Sequence, residues 1–177
     1  MPNLIRTSSH GNEVNVALYP ADSLVRKMSN SNKGKQYLQA EISGLKWYNT
    51  LTNDYQKPVS NNYSSNYANF TCIDIYLHEG RSCSFLSPIR HSKKYLERAI
   101  AHYRDHWPNK LLAPVHGDLT LSNIIFSKNK TRFIDWEHFS KEGYDWGLDI
   151  VYLVLSSIYL PCPNNINISE LEGKIFG

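Results

Sequence analysis

Val115-His116-Gly117-Asp118-Leu119-Thr120-Leu121-Ser122-Asn123 is followed ten residues later by Phe133-Ile134-Asp135-Trp136-Glu137. The stretch holds an Asp, an Asn five residues on, and a second Asp at the end of a short apolar run. That combination suits transfer of a phosphoryl group. One carboxylate can orient a hydroxyl, and two further side-chain oxygens can hold Mg²⁺, a hard cation that prefers oxygen ligands. Alone, Asp118 after Gly117 reads as a turn residue. Its spacing to Asn123 and Asp135 is what makes it a candidate.

Working outward, the flanks read as regular structure. Asn123–Phe126 and Thr131–Ile134 are short apolar runs on either side of Ser127-Lys128-Asn129-Lys130, a hairpin pattern. Upstream, His91 to Trp107 is an amphipathic helix with Tyr95, Ala99 and Tyr103 on one stripe, stopped by Pro108. Downstream, residues 145–160 are nearly all apolar and predict a buried helix, ended by Pro161 and Pro163. The tail from Asn164 is polar and predicts little structure.

Toward the N-terminus, residues 3–28 read as a strand-rich meander. Val14, Val16 and Leu18 alternate with Asn15 and Ala17, and Ser8 to Asn12 is a turn cluster. A helix is expected over 34–51, with Leu38, Ile42, Leu45 and Tyr48 inward. Residues 52–68 are Asn/Ser-rich and predict a loop, with a short strand near Tyr55 to Val59. Phe70 to Leu77 predicts a further strand.

The bulk properties narrow the class. A chain of 177 residues fits one domain or two small lobes. Its formal charge of +3 suits an anionic ligand, and the cations are too scattered to argue for nucleic acid. Cys72, Cys83 and Cys162 form no C-x-x-C pair, which argues against a disulfide framework or a thiolate zinc site. No apolar run is long enough for a membrane span or a signal peptide, so the cytoplasm is the expected compartment.

The loop is similar to the protein-kinase pattern H-R-D-L-x-x-x-N with its D-F-G. Gly117 stands in place of the Arg, and Asp135-Trp136-Glu137 in place of D-F-G. With Asn123-Ile124-Ile125-Phe126 and Asp149, these residues resemble the aminoglycoside phosphotransferase and choline kinase family. The resemblance implies a two-lobe, kinase-like α+β fold. A small antiparallel-sheet lobe would span 1–77, and a mainly helical lobe 78–177, with its C-terminal helices incomplete.

It also implies roles. Asp118 would orient and deprotonate the acceptor hydroxyl, while Asn123 and Asp135 would hold Mg²⁺. Lys27 would contact the phosphates of ATP, held by Glu41. Backbone around Ser9, Gly11 and Asn12 would cover the phosphates. Tyr76 and Leu77, in Ile75-Tyr76-Leu77-His78-Glu79-Gly80, would belong to the hinge that receives the base. His116, Glu137 and Asp149 would support the loop. Trp136, Trp146, Tyr144 and Tyr152 are read as core, with a pocket for a cationic substrate as the lesser use.

The implied activity is transfer of a γ-phosphoryl group to a hydroxyl of a small molecule, such as an amino sugar or choline-like alcohol. Residues 81–114 are few for the acceptor-binding helices of that family. A catalytically weak, kinase-like fragment that binds nucleotide or a protein partner is therefore the alternative. A two-metal phosphatase using His116, Asp118, Asp135 and His138 ranks third, because such sites need more ligands.

Overall fold

Five antiparallel strands in the order β1-β2-β3-β5-β4 form the main sheet in the computed structural model. It describes residues 3–7, 13–19, 23–52, 59–65, 68–76, 80–82 and 89–159. The strands are β1 (Asn3–Thr7), β2 (Asn15–Tyr19), β3 (Leu24–Ser29), β4 (Val59–Ser65) and β5 (Ala68–Tyr76). The meander expected over 3–28 is thus present. The Asn/Ser-rich stretch is corrected: Val59–Ser65 is not loop but the edge strand β4, paired with β5 from Val59↔Asp74 to Ser65↔Ala68. Its polar composition hid it, since a strand at the edge of a sheet tolerates polar residues on both faces.

Helix α1 (Asn32–Thr52) lies against this sheet. Ser31 caps it, its Oγ accepting from the Gly34 amide at 2.9 Å, and the Ser31 hydroxyl also meets the Glu13 carboxylate. Leu38 and Ile42 pack with Val14 and Ile73 to form the small core of the sheet lobe. One to two turns on, Leu45 and Tyr48 of the same helix enter a second, larger core. A single helix therefore carries the packing from the sheet into the helical lobe.

The larger core is built around Trp136, Tyr103, Phe133, Trp107 and Leu153, all buried. Helix α2 (Ile89–His106) supplies Ala99 and Tyr103, as its stripe predicts. Tyr103 stacks on Trp107 with centroids 4.4 Å apart. Two small sheets complete the lobe. One joins β6 (Arg81–Ser82), β8 (Ile124–Phe126) and β9 (Thr131–Phe133); the other joins β7 (Ala113–Val115) to β10 (Ser140–Tyr144). The β8–β9 hairpin is the expected one, with Ile124 opposite Phe133. Arg98 of α2 holds its turn by donating to the Ser127 and Lys130 carbonyls at 2.9 and 3.0 Å.

Helix α3 (Leu148–Tyr159) departs from expectation. It starts later than residue 145, after Gly147 at φ +97°. It is also not buried all round. Leu153 is fully buried, but Leu148, Val151, Tyr152 and Leu155 are 45, 55, 44 and 46% exposed. An all-apolar run reads as buried on every side; here no described residue covers that stripe.

Candidate active site

Three segments meet at the centre: β3 from the sheet, α1, and the loops after β7 and β9. Lys27 sits on β3 between Val16 and Ile73 of the neighbouring strands. Its Nζ donates to Glu41 Oε2 at 3.0 Å and to Asp135 Oδ1 at 2.5 Å. Sequence spacing alone links none of the three. Burial opposes the charge on Lys27, but Glu41 and then Asp135 outweigh it and hold the ammonium above the usual lysine range. Glu137 adds to the same field. Burial pushes the Glu41 carboxyl up to about 7, with Lys27 pulling it back. Burial also opposes ionisation of Asp135, yet Lys27 brings its carboxyl below the ordinary value.

The approach of α1 to the loop depends on Gly44. A Cβ there would lie 2.7 Å from Trp136 Cβ and 2.9 Å from Phe139 Cβ. Gly44 thus lets the helix that carries Glu41 close on the segment that carries Asp135. Asp135 itself has φ +66°, a left-handed conformation that costs a non-glycine residue about 1–3 kcal/mol and recurs at functional sites.

On the other side, Asn123 Nδ2 donates to the Asp118 carbonyl at 2.9 Å and to Asp118 Oδ2 at 3.0 Å. The Asn123 carbonyl accepts from the Ile134 amide at 2.9 Å, which sets Asn123 beside Asp135. With its amide nitrogen spent on Asp118, Asn123 presents Oδ1 as an acceptor. That oxygen and the Asp135 carboxylate are the hard donors a Mg²⁺ ion requires, so the residues present fit the metal.

The loop is braced from below. Asp149, 2% exposed, accepts from the backbone amides of His116 at 2.8 Å and Gly117 at 3.1 Å. Burial raises its carboxyl, and the amides pull the other way. His116 is fully buried; its Nε2 donates to the Ile134 carbonyl at 2.9 Å and its Nδ1 accepts from the Asp118 amide at 3.4 Å. One ring nitrogen donates and the other accepts, so the imidazole is neutral, in keeping with burial that lowers its pKa. Gly117 has φ +85°, and a Cβ there would collide with the His138 carbonyl oxygen. That is the physical reason a glycine stands in this position.

Asp118, Asn123, Asp135, Lys27, Glu41, His116 and Asp149 are thus brought together. Tyr76 lies at the end of β5, 48% exposed, opposite Leu24. Ser9, Gly11, Asn12 and Leu77 lie outside the described residues. Of the four aromatics, Trp136 is core, Trp146 packs against the core, and Tyr144 and Tyr152 are exposed. Burial, then the Asp118 charge, hold the Tyr152 phenol above its ordinary range.

Residues 76–152 match the sequence model of the phosphotransferase enzyme family. No curated protein matches the chain in sequence. Among solved structures, the GDP and kanamycin complex of APH(2")-IIia superposes with a TM-score of 0.53 at 14% identity, over 88% of this chain and 73% of that one. The GDP complex of a point mutant of aminoglycoside 2'-phosphotransferase-IIIa gives 0.53 and 14%, over 84% and 70%. The segment that holds the loop, the hairpin and Asp149 therefore carries the pattern of the phosphotransferase enzyme family, on the kinase-like fold of the aminoglycoside phosphotransferases that the chain resembles.

Proposed function

We propose that the chain transfers the γ-phosphoryl group of ATP to a hydroxyl of a small molecule, with Mg²⁺. The observation that carries this reading is the convergence of Lys27, from the sheet, on Asp135, beside Asn123 and Asp118. Nucleotide would lie between a small lobe ending near residue 77 and the helical lobe beyond it. Lys27 would meet its phosphates and the chain around Tyr76 its base. Asn123 and Asp135 would hold the metal, which supplies charge neutralisation on the phosphate oxygens when bound. Asp118 accepts a hydrogen bond from the acceptor hydroxyl, aims its oxygen in line with the phosphorus, and takes its proton late. An amino sugar or a choline-like alcohol is the acceptor class, in a soluble cytoplasmic setting.

The test has two stages. Thermal shifts with Mg·ATP and Mg·GTP establish whether nucleotide binds and which base is preferred; a screen of acceptor alcohols for nucleoside diphosphate release then establishes transfer. A nucleotide-dependent shift with no release for any acceptor would favour the weak, nucleotide-binding alternative. Absence of both would overturn the proposal.

A further inference from the structure

Asp135 has φ +66°, and a strained residue persists only where its surroundings fix it from several sides. The two residues before it, Phe133 and Ile134, have every backbone polar group bonded. The Ile134 amide donates to the Asn123 carbonyl at 2.9 Å, and the Ile134 carbonyl accepts from His116 Nε2 at 2.9 Å. The Phe133 carbonyl accepts from Trp136 Nε1 at 3.1 Å, and the Phe133 amide donates to the Tyr48 hydroxyl at 3.2 Å. Asn123 and His116 belong to the catalytic loop, and Trp136 to the segment itself. Tyr48 comes from α1, the helix that carries Glu41.

The helix repeat places Tyr48 for this contact. Glu41, Gly44 and Tyr48 are spaced i, i+3 and i+7, so they share one face of α1. Along that face Glu41 meets Lys27, which bridges to Asp135; Gly44 closes on Trp136 and Phe139; and Tyr48 meets Phe133. The Tyr48 ring stacks on Phe133, with centroids 5.8 Å apart and an angle of 11° between the planes. Its oxygen accepts from the Phe133 amide, and its proton goes to His102 Nε2 on α2 at 2.7 Å. A bland account makes Tyr48, 4% exposed, one more core aromatic. A phenylalanine would fill the same space. The hydroxyl answers a different need: β9 is an edge strand, and the buried Phe133 amide would otherwise lack an acceptor.

We propose that Tyr48 is a positioning residue for the metal site: by holding the Phe133 amide, its hydroxyl sets Asp135 at the distance from Glu41 at which Lys27 reaches both, and keeps the Asp135 carboxylate in place for Mg²⁺. The inference rests on the phosphotransferase reading. Tyr48 acts through the backbone two residues before Asp135, not by contact with the ion. Without the hydroxyl, the end of β9 loses its tie to α1 and the strained Asp135 can relax. Lys27 keeps Glu41, so its approach to the phosphates is retained.

The experiment compares the wild type with Tyr48→Phe, which keeps the ring and removes the hydroxyl. Amide hydrogen exchange reads the contact, and calorimetry reads the affinities for Mn·ATP and for metal-free ATP. In Tyr48→Phe the Phe133 amide is expected to exchange about tenfold faster, the worth of one buried hydrogen bond. Mn·ATP is expected to bind about tenfold more weakly, as when a metal ligand loses a supporting partner, with metal-free ATP unchanged. A general loosening of the fold would weaken both forms alike, and that result overturns the inference, as does unchanged Mn·ATP affinity. Either leaves the phosphotransferase reading standing. Should Tyr48→Phe fail to fold, the wild type decides the contact: its Phe133 amide is expected to exchange as slowly as the Ile134 amide, and fast exchange overturns the inference. Failure of the wild type to bind ATP in either form counts against the phosphotransferase reading itself.

Discussion

Replacing Asp149 by Ala should cost the fold about 3 kcal/mol, and the estimate can be built from the brace itself. The carboxylate accepts from two amides, His116 N at 2.8 Å and Gly117 N at 3.1 Å. The His116 amide is buried, and removal of its partner leaves a donor with no route to water, at about 1–3 kcal/mol. Gly117 is exposed, so water can replace much of what its amide loses, and its share is about 1 kcal/mol or less. For a chain of this size such a loss lowers Tm by roughly 6–12 °C. Asp149→Asn should fall between, since the amide keeps one acceptor oxygen but turns an NH₂ toward the second donor. Urea unfolding followed by tryptophan fluorescence measures both. The change should also slow turnover while leaving Lys27 and Glu41 in place. A loss below about 1 kcal/mol in Asp149→Ala would refute the claim that this carboxylate holds the loop.

Other consequences follow from the same contacts. Lys27→Met leaves Glu41, 1% exposed, as a buried carboxylate without its cation, and should cost about 3–5 kcal/mol in urea unfolding. Adding Glu41→Gln should recover at least half of that, and no recovery would contradict the pairing. Gly117→Ala meets both a φ of +85° and the His138 carbonyl, so Tm should fall by several degrees, corresponding to about 1–3 kcal/mol. His102 is half-buried, its Nε2 2.7 Å from the Tyr48 hydroxyl, and desolvation, then His106, lower its pKa to about 4. Its folded value lies below its unfolded one near 6.5. Its contribution is therefore complete above pH 6.5 and is lost as pH falls toward 4, amounting to roughly 3 kcal/mol. Unfolding free energies across that window should show the slope, and His102→Gln should flatten it; an unaltered slope would show that another group is responsible.

The loop and the elements carrying strong periodicity were legible in the sequence. Asp118, Asn123 and Asp135 could be grouped because a hairpin of fixed length joins them, and α2 because its stripe is continuous. Lys27 and Glu41 could be proposed only through resemblance, since Lys27 and Asp135 are 108 residues apart and no local pattern joins them. β4 was hidden by its Asn and Ser residues. β10, Ser-Lys-Glu-Gly-Tyr, has no alternation of apolar side chains and exists because it pairs with β7. α3 misled in the opposite sense. Its composition gives no sign of which side faces the core, so the exposure of Leu148, Val151, Tyr152 and Leu155 depends on tertiary packing.

The central claim is that Asp118 receives the acceptor's proton in a phosphoryl transfer. It is tested most directly by the rate of ADP release from Mg·ATP, with and without an acceptor alcohol, in the wild type and Asp118→Ala. Acceptor-dependent release in the wild type, lowered about 10³-fold in Asp118→Ala with the Mg·ATP thermal shift retained, is the predicted result. Equal release rates in the two proteins would contradict it.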